Sequence, residues 1–466
     1  MLLAAPAATA AAQTPSADTL RLSIEEAVNT GLKVADEVRL SMAQADIAEA
    51  QFGVARGTLL PTLRMSMSFG RTYSSARSLA LNPVFNQTND YTAALNFSQP
   101  LFQGGRSFNA TRAAAALARA GDLDAQEQRA LFTVQVQRAY LTALLAERLV
   151  ELQETNLSLA ATRLAQVLQF NAAGRSSQYD VLRAKVERSN IEPLAIQARN
   201  DRDIAHLELK RLVNLPLERP LVLTSIIDAG AASALVASFL DSADTPRRNT
   251  LRAAELTASA RRFTIGAARA DLLPTVTAFF NAGFGAFPPQ GHGIPTTRGT
   301  LDLANCPATP APTRPCQNGG WFENANMGVQ FSWNLFDGWR APSALEIARA
   351  QRRIADLELR QEQEQVSVEV ARARSELRRA KAVFDGRRET SAEANEAFRL
   401  ASLRFARGLS TQLEVSDAQL ALLTAEGSEA RATYDLYLAT AELARALGRP
   451  IPMPATRAPV RGTNNE

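Results

Sequence analysis

From Arg106 to about Phe170 the chain carries leucines at helical spacing, including Leu145, Leu149, Leu152 and Leu159, with no proline and Gly121 as its one glycine. That pattern predicts one continuous helix, which at ~1.5 Å per residue is ~100 Å long and far beyond the ordinary globular range. A helix of about 37 residues follows a turn at Gly174 and ends near Asn214. Another opens at Ser23, where Ser23 and Glu26 have the spacing of a capping box, and runs to about Leu60 before Pro61 stops it. These two shorter helices are each ~55 Å, so stacked end to end they would flank the long one over its whole length.

Between the helices the period changes to two. Leu63, Met65, Met67 and Phe69 alternate with Arg64, Ser66 and Ser68, and Ala93, Leu95 and Phe97 alternate with Ala94, Asn96 and Ser98. Both runs predict strands with one oily and one wet face, joined by a polar loop from Arg71 to Asp90. Pro100 and the Gly104-Gly105 pair are expected to end the second strand.

The same plan occurs twice. Ala55-Arg56-Gly57-Thr58-Leu59-Leu60-Pro61-Thr62 is matched by Ala268-Arg269-Ala270-Asp271-Leu272-Leu273-Pro274-Thr275, at an offset of 213. Phe97-Ser98-Gln99-Pro100-Leu101-Phe102-Gln103-Gly104-Gly105-Arg106 is matched by Phe331-Ser332-Trp333-Asn334-Leu335-Phe336-Asp337-Gly338-Trp339-Arg340, at 234, as is the Gly174 turn by the Gly408 turn. The chain is a tandem duplication with a 21-residue insertion in its second copy. In that copy Thr245 and Pro246 suit a helix start, Pro274 ends the helix, and Val276, Ala278, Phe280 and Ala282 begin a strand. Val329, Phe331, Trp333 and Leu335 mark the returning strand. The expected organisation is a signal-peptide remnant over 1–12, a first repeat over 13–216 with strands about 62–70 and 91–99, and a linker over 217–244. A second repeat over 245–450, with strands about 275–285 and 327–335, precedes a tail over 451–466.

Composition removes several classes. No apolar run nears the ~18 to 20 residues of a transmembrane helix, and two cysteines with two histidines leave little for a His/Cys metal enzyme. With 51 basic and 47 acidic residues the net charge is +4, and only Lys33, Lys185, Lys210 and Lys381 are lysines. The pI near 9.3 is therefore an arginine effect that marks no nucleic-acid patch. His206 sits in a charged helix and His292 in a loop, neither with a nucleophile or metal set nearby, and no P-loop is present, so an enzyme is the least favoured class. Met1 to Gln13, small and apolar, reads either as the end of a secretory signal cleaved near Ala12 or as a disordered leader, with no cysteine to carry a lipid. Cys306 and Cys316 lie in a Pro/Gly/Asn-rich loop over 286–326, where a disulfide is expected in an oxidising compartment and two free thiols are the alternative.

Four strands of about nine residues with one oily face match the ~9 to 11 residues that cross an outer membrane, yet four cannot close a barrel. They must be pooled between copies of the chain, or else form something soluble. The Leu-Leu-Pro turn before each first strand, the Phe-Ser-x-x-Leu-Phe-x-Gly-x-Arg turn after each second strand and the Gly-x-x-x-x-x-Asp/Glu-Val turn, each present twice, resemble the TolC family of outer-membrane channels. The resemblance covers Leu22 to Leu447. It implies an α+β, mainly α fold: long-helix hairpins forming a trimeric α-barrel tunnel in the periplasm, with four strands per chain in a 12-stranded outer-membrane β-barrel. It implies a homotrimer in outer-membrane lipid that takes substrate from an inner-membrane pump through a periplasmic adaptor, with no nucleic acid, cofactor or bound metal. Efflux of drugs, metals or other small molecules is the leading expectation, type I protein secretion its neighbour, and a poreless coiled-coil structural protein the different class.

The same resemblance puts the Gly174 and Gly408 turns at the periplasmic tip. Glu414 and Asp417, three apart on one helix face, and Asp180 in the first copy take positions of acidic residues near a tunnel aperture. Threefold symmetry would gather the Glu414 and Asp417 carboxylates into a ring that disfavours full ionisation and favours cations. On the residues alone, solvated helix surface with Asp180 and Glu414 beside favourable helix N-termini is the favoured reading. Gly174, Arg175, Arg407, Gly408 and Leu409 resemble clefts that accept adaptor tips, with helix C-capping as the glycines' plainer role. Family members often carry a basic residue where this chain has Ser410, leaving Arg407, Arg175 or Arg183 as candidate latch residues.

Overall fold

The computed structural model describes residues 20–73, 89–225, 247–288, 293–300, 320–407 and 409–453, with 230, 236 and 239 singly. The leader, Thr245, Pro246, His292, Cys306, Cys316, Gly408 and the tail beyond Met453 lie outside the described residues. In chain order the elements are β1 (Leu20–Leu22), α1 (Ile24–Val34), α2 (Asp36–Gly57), β2 (Thr62–Arg71), β3 (Asn89–Gln103), α3 (Arg106–Ala172) and α4 (Gln178–Leu212). Then come β4 (Leu221–Leu223), α5 (Asn249–Arg269), β5 (Thr275–Ala286), β6 (Trp321–Ser332), α6 (Arg340–Ala406) and α7 (Gln412–Leu447). The chain is mostly helical with a smaller share of strand. The long helices α3 and α6 have 67 residues each and start 234 positions apart.

Two compact units divide it, and each draws on both sequence copies. One holds the described parts of Met1–Ala45, Gly121–Ala253 and Arg360–Glu466, and the other Asp46–Ala120 and Ala254–Leu359. The first contains the main apolar core, in which Tyr140, Phe384, Leu377, Leu436 and Leu443 are fully buried and β1 pairs in parallel with β4. Beside that core lies a clasp of charges. Arg248 bonds Glu127 at 3.2 Å and also Glu369, and Arg445 bonds Glu127 at 3.3 Å. Two guanidinium groups thereby offset two carboxylates that burial would otherwise leave uncompensated.

The second unit contains a four-stranded antiparallel sheet of order β2-β3-β5-β6. Its register stacks the apolar positions in rows: Met65 opposes Leu95, Leu95 opposes Ala282, and Ala282 opposes Ala325. One strand position away the rows are polar, tied by Ser68 to Thr92 at 2.6 Å, Asn96 to Ser66 at 3.0 Å and Asn281 to Asn326 at 3.0 Å. The whole of β2 is exposed, and on β6 Met327 is 82% exposed. One face of the sheet is thus a bare apolar surface, and among the described residues β2 and β6 carry no further strand on their outer edges, apart from a single bridge of Trp321 to Arg298 at the start of β6.

Several boundaries differ from the sequence expectations. The first helix breaks at Ala35, whose ψ of 126° is extended, and acidic Asp36 and Glu37 open a second helix there. It ends at Gly57 rather than Leu60. The β3 strand runs past Pro100 to Gln103, with a register slip between Pro100 and Phe102. Pairing with β2 stops at Ser98, so on that side the missing N–H of Pro100 has no strand partner to lose, while Pro100 stays opposite Thr277 of β5. The returning strand of the second copy begins at Trp321 rather than near 327 and stops at Ser332, so Trp333 and Leu335 belong to the turn that follows. Pro193 lies inside α4, exposed, where a spacing argument would not place it.

Candidate aperture at the helical tips

The α3–α4 turn is a Schellman cap. Gly174 has φ 69°, and the Arg175 N–H donates to the Phe170 carbonyl at 2.7 Å while the Arg175 guanidinium lies 5.2 Å from the Phe170 ring. Gly174 therefore serves as the left-handed C-cap residue, and a Cβ there would meet nothing within 4 Å. At the α6–α7 turn the Leu409 N–H donates to the Arg404 carbonyl at 2.9 Å, and the Arg407 N–H to Arg404 at 3.2 Å.

Asp180 is committed to capping. One carboxylate oxygen accepts from the Ser177 hydroxyl at 2.7 Å, the Ser177 N–H at 2.9 Å and the Ser176 hydroxyl at 3.1 Å. The Ser177 hydroxyl, then its backbone N–H, hold the Asp180 carboxyl below the usual carboxylate range. Glu414 occupies the matching position of α7, where its N–H donates to the N-cap Thr411 hydroxyl at 3.4 Å. Its carboxylate makes no reciprocal cap and stands 3.9 Å from Arg404. Asp417, one turn on, is exposed and lines an open groove with Arg183, Glu187, Leu413 and Leu420. Among the described residues no contact joins Asp180 to Glu414 or Asp417.

What the structure does bring together is a polar network that spacing could not reveal. Arg163 of α3 donates to Glu187 of α4 at 2.9 Å and to Ser416 of α7 at 2.8 Å, and its second nitrogen reaches Gln419. Ser416 donates to Glu187 at 2.9 Å, and Gln419 to Asn156 of α3 at 2.6 Å. Asn156 and Gln419 are buried, and the Arg163 side chain is only 11% exposed. This ties the start of α7 to α3 and α4 just beyond Asp417. Of the candidate latch arginines, Arg183 lines the groove, whereas Arg404, not singled out from sequence, is the one beside Glu414. Ser410 donates to the Thr411 carbonyl at 3.2 Å and faces no carboxylate. Among the described residues no set of His, Cys, Asp and Glu side chains is arranged to hold a metal ion.

The family model for outer membrane efflux proteins matches residues 32–215 and 245–449, one stretch in each sequence copy. The chain belongs to the outer membrane efflux protein family. It is 24% identical over 413 residues to the alkaline protease secretion protein AprF of Pseudomonas aeruginosa, covering 86% of this chain and 80% of that one. Its fold is shared with the outer membrane protein VceC of Vibrio cholerae, at TM-score 0.69 and 19% identity over 92% of this chain and 97% of that. The open-state outer membrane channel MtrE of Neisseria gonorrhoeae superposes at 0.66 with 20% identity, over 91% and 89%. As a member of this family the chain is a bacterial outer-membrane channel with its helices in the periplasm. No helix of the described structure is long and apolar enough to cross a membrane.

Proposed function

We propose that three copies of this chain close a twelve-stranded barrel, four strands from each, over a tunnel built from the long helices, and that this duct exports small molecules handed on by an inner-membrane pump through a periplasmic adaptor. The observation that carries the reading is the sheet: four strands with one bare apolar face and two edges that carry no further strand among the described residues cannot close alone, and neighbouring copies would satisfy both edges while lipid covers the face. No chemistry is performed on the cargo. Glu414 and Asp417 form the acidic aperture, and Gly174, Arg175, Arg407, Gly408 and Leu409 present the adaptor-facing tip. Asp180 contributes there mainly as a cap. The two repeats over 13–216 and 245–450 supply equivalent hairpins, so that each chain contributes twice to the wall.

Type I protein secretion is the second reading, favoured by the similarity to AprF, a secretion protein by name, along most of the chain. The experiment is single-channel conductance in a planar bilayer, wild type against Glu414→Ala/Asp417→Ala, with a divalent-cation titration. Conduction by wild type, with weaker divalent block in the variant, supports channel and aperture together. A protein that neither inserts nor conducts overturns the channel, and equal block in both proteins removes Glu414 and Asp417 from the aperture.

A further inference from the structure

The four strands of the sheet are nearly free of charge. Only Arg64 and Arg71 on β2, Asp90 on β3 and Glu323 on β6 carry one. Three of these stand toward one end: Arg71 opposes Asn89 and lies 5.4 Å over the Tyr73 ring, Asp90 opposes Gly70, and Glu323 is bonded by Arg298 at 2.7 Å. Arg64, the third residue of β2, stands apart near the other end. Among the described residues no carboxylate pairs with it. The acids at that end are already engaged, Asp271 by Arg106 and Asp337 by the Ala341 N–H at 2.7 Å.

Alternation puts Arg64 on the wet face of the sheet, in one row with Asn96, Asn281 and Asn326. Those amides are tied across strands, Asn96 to the Ser66 hydroxyl and Asn281 to Asn326, each at 3.0 Å. The rows on either side are Ser66, Ala94, Gly283 and Asn324, and Thr62, Ser98, Phe279 and Gly328. Nothing in this wall neutralises the guanidinium. Asp90, the acid on the same face, lies six residues beyond Asn96 along β3, about 20 Å away at ~3.3 Å per residue, well past the ~8 Å screening length of physiological salt. The repeat fold does not call for the charge either, because the aligned position of the second copy is Thr277.

We propose that the Arg64 side chains of three copies form an anion-binding collar inside the barrel, which holds small multivalent anions bearing sulfonate or phosphate groups and sets the exit's preference for cargo that carries them. The inference rests on the trimeric-barrel reading, in which the wet face lines the water-filled interior. Twelve strands ~4.8 Å apart and tilted ~40° enclose a barrel of ~12 Å radius. Threefold symmetry sets the three Arg64 at one level, and each side chain reaches inward far enough to bring its charge within ~8 Å of the axis, about one screening length. A multivalent anion on the axis therefore feels all three at once. The planar guanidinium presents paired N–H donors that match sulfonate and phosphate oxygens, and the amides of the same row add neutral donors beside it.

The test titrates the full chain, purified in detergent, into the trisulfonated dye pyranine at low salt and follows fluorescence anisotropy, while light scattering gives the number of chains per particle. Wild type is compared with Arg64→Gln, Arg64→Lys and, as a charge removed elsewhere on the same strand, Arg71→Gln. The expected result is a Kd raised about tenfold in Arg64→Gln, kept within about twofold of wild type in Arg64→Lys, and unchanged in Arg71→Gln. Equal affinity in wild type and Arg64→Gln, or an equal fall in Arg71→Gln, overturns the collar and assigns the dye to surface charge at large. A trimer that binds no dye overturns the collar and leaves the barrel standing. A wild type that stays monomeric overturns the three-chain barrel, and the collar with it.

Discussion

The hydroxyl of Tyr140 donates to the Leu22 carbonyl at 2.8 Å and accepts the Ser225 N–H at 3.2 Å, joining the middle of α3 to the paired β1–β4 segments. The ring is fully buried, and burial pushes the phenol above its ordinary range, so it stays neutral and able to donate. Tyr140→Phe leaves the buried Ser225 N–H without its acceptor, while the Leu22 carbonyl keeps the Thr224 N–H at 3.0 Å. The expected loss is about 2 kcal/mol of unfolding free energy, read from the denaturant midpoint in detergent.

Removing one partner of the Arg163 network should act on the tip. Arg163→Ala deprives Glu187, Ser416 and Gln419 of their shared donor, and a partly buried charge bond of this kind contributes about 2 kcal/mol. The start of α7 is then held to α4 and α3 only by the Ser416–Glu187 and Gln419–Asn156 bonds. Faster amide exchange over residues 412–420, compared with unchanged exchange in the sheet, is the expected readout; uniform exchange across the chain would assign Arg163 a global role instead.

The cap at Asp180 has a pH signature. Its folded carboxyl titrates below the unfolded value of roughly 3.9, so its stabilising effect is complete above that value and fades as pH falls through the lower folded one. The thermal midpoints of wild type and Asp180→Ala should therefore differ at pH 7 and converge as pH falls through the lowered folded value. A gap that widens in acid would contradict the cap.

Alternation on β2 makes adjacent positions opposite in behaviour. Met65 belongs to the bare apolar row and Ser66 to the hydrogen-bonded polar one. Met65→Arg should cost ~2 to 4 kcal/mol of membrane insertion and Ser66→Arg far less, as measured by the fraction of protein assembled in vesicles.

Trp339→Gly should stabilise the turn after β6. Relieving the left-handed backbone raises unfolding free energy by about 1 kcal/mol, read from the denaturant midpoint in detergent.

Much of the fold was legible because its elements are long or strictly alternating. The helix from Arg106 was readable from an unbroken run without proline, and its observed end at Ala172 lies two residues from expectation. The strands were readable because one face meets lipid and the other does not. Boundaries failed where a local signal was overridden: Pro100 sits where pairing with β2 has already stopped, and Ala35 carries no breaker residue at all. At the tip, Gly174 was visible as a capping residue because capping is local, whereas the sequence placed Asp180 only near a helix N-terminus and the structure adds its capping box with Ser177. The Arg163 network joins residues far apart in sequence and has no periodic mark. Trp333 looked like the end of an alternating strand, and its bond to the Leu272 carbonyl, the counterpart of that from Gln99 to Leu59, reveals it as part of the turn.

The equal 67-residue lengths of α3 and α6 constrain how such a chain can change. Deleting one residue from either helix would rotate everything beyond it by ~100° and draw it back by ~1.5 Å, moving each buried side chain out of its slot. Substitutions accumulate freely, as the divergence of the two copies attests, but length is conserved wherever a helix must stay in phase with its neighbours. The 21 extra residues of the second copy fall between its first-strand turn and its second-strand end, where no phase is kept. An affinity tag or reporter peptide therefore belongs between β5 and β6, and the long helices are the places where even a single inserted residue should abolish expression.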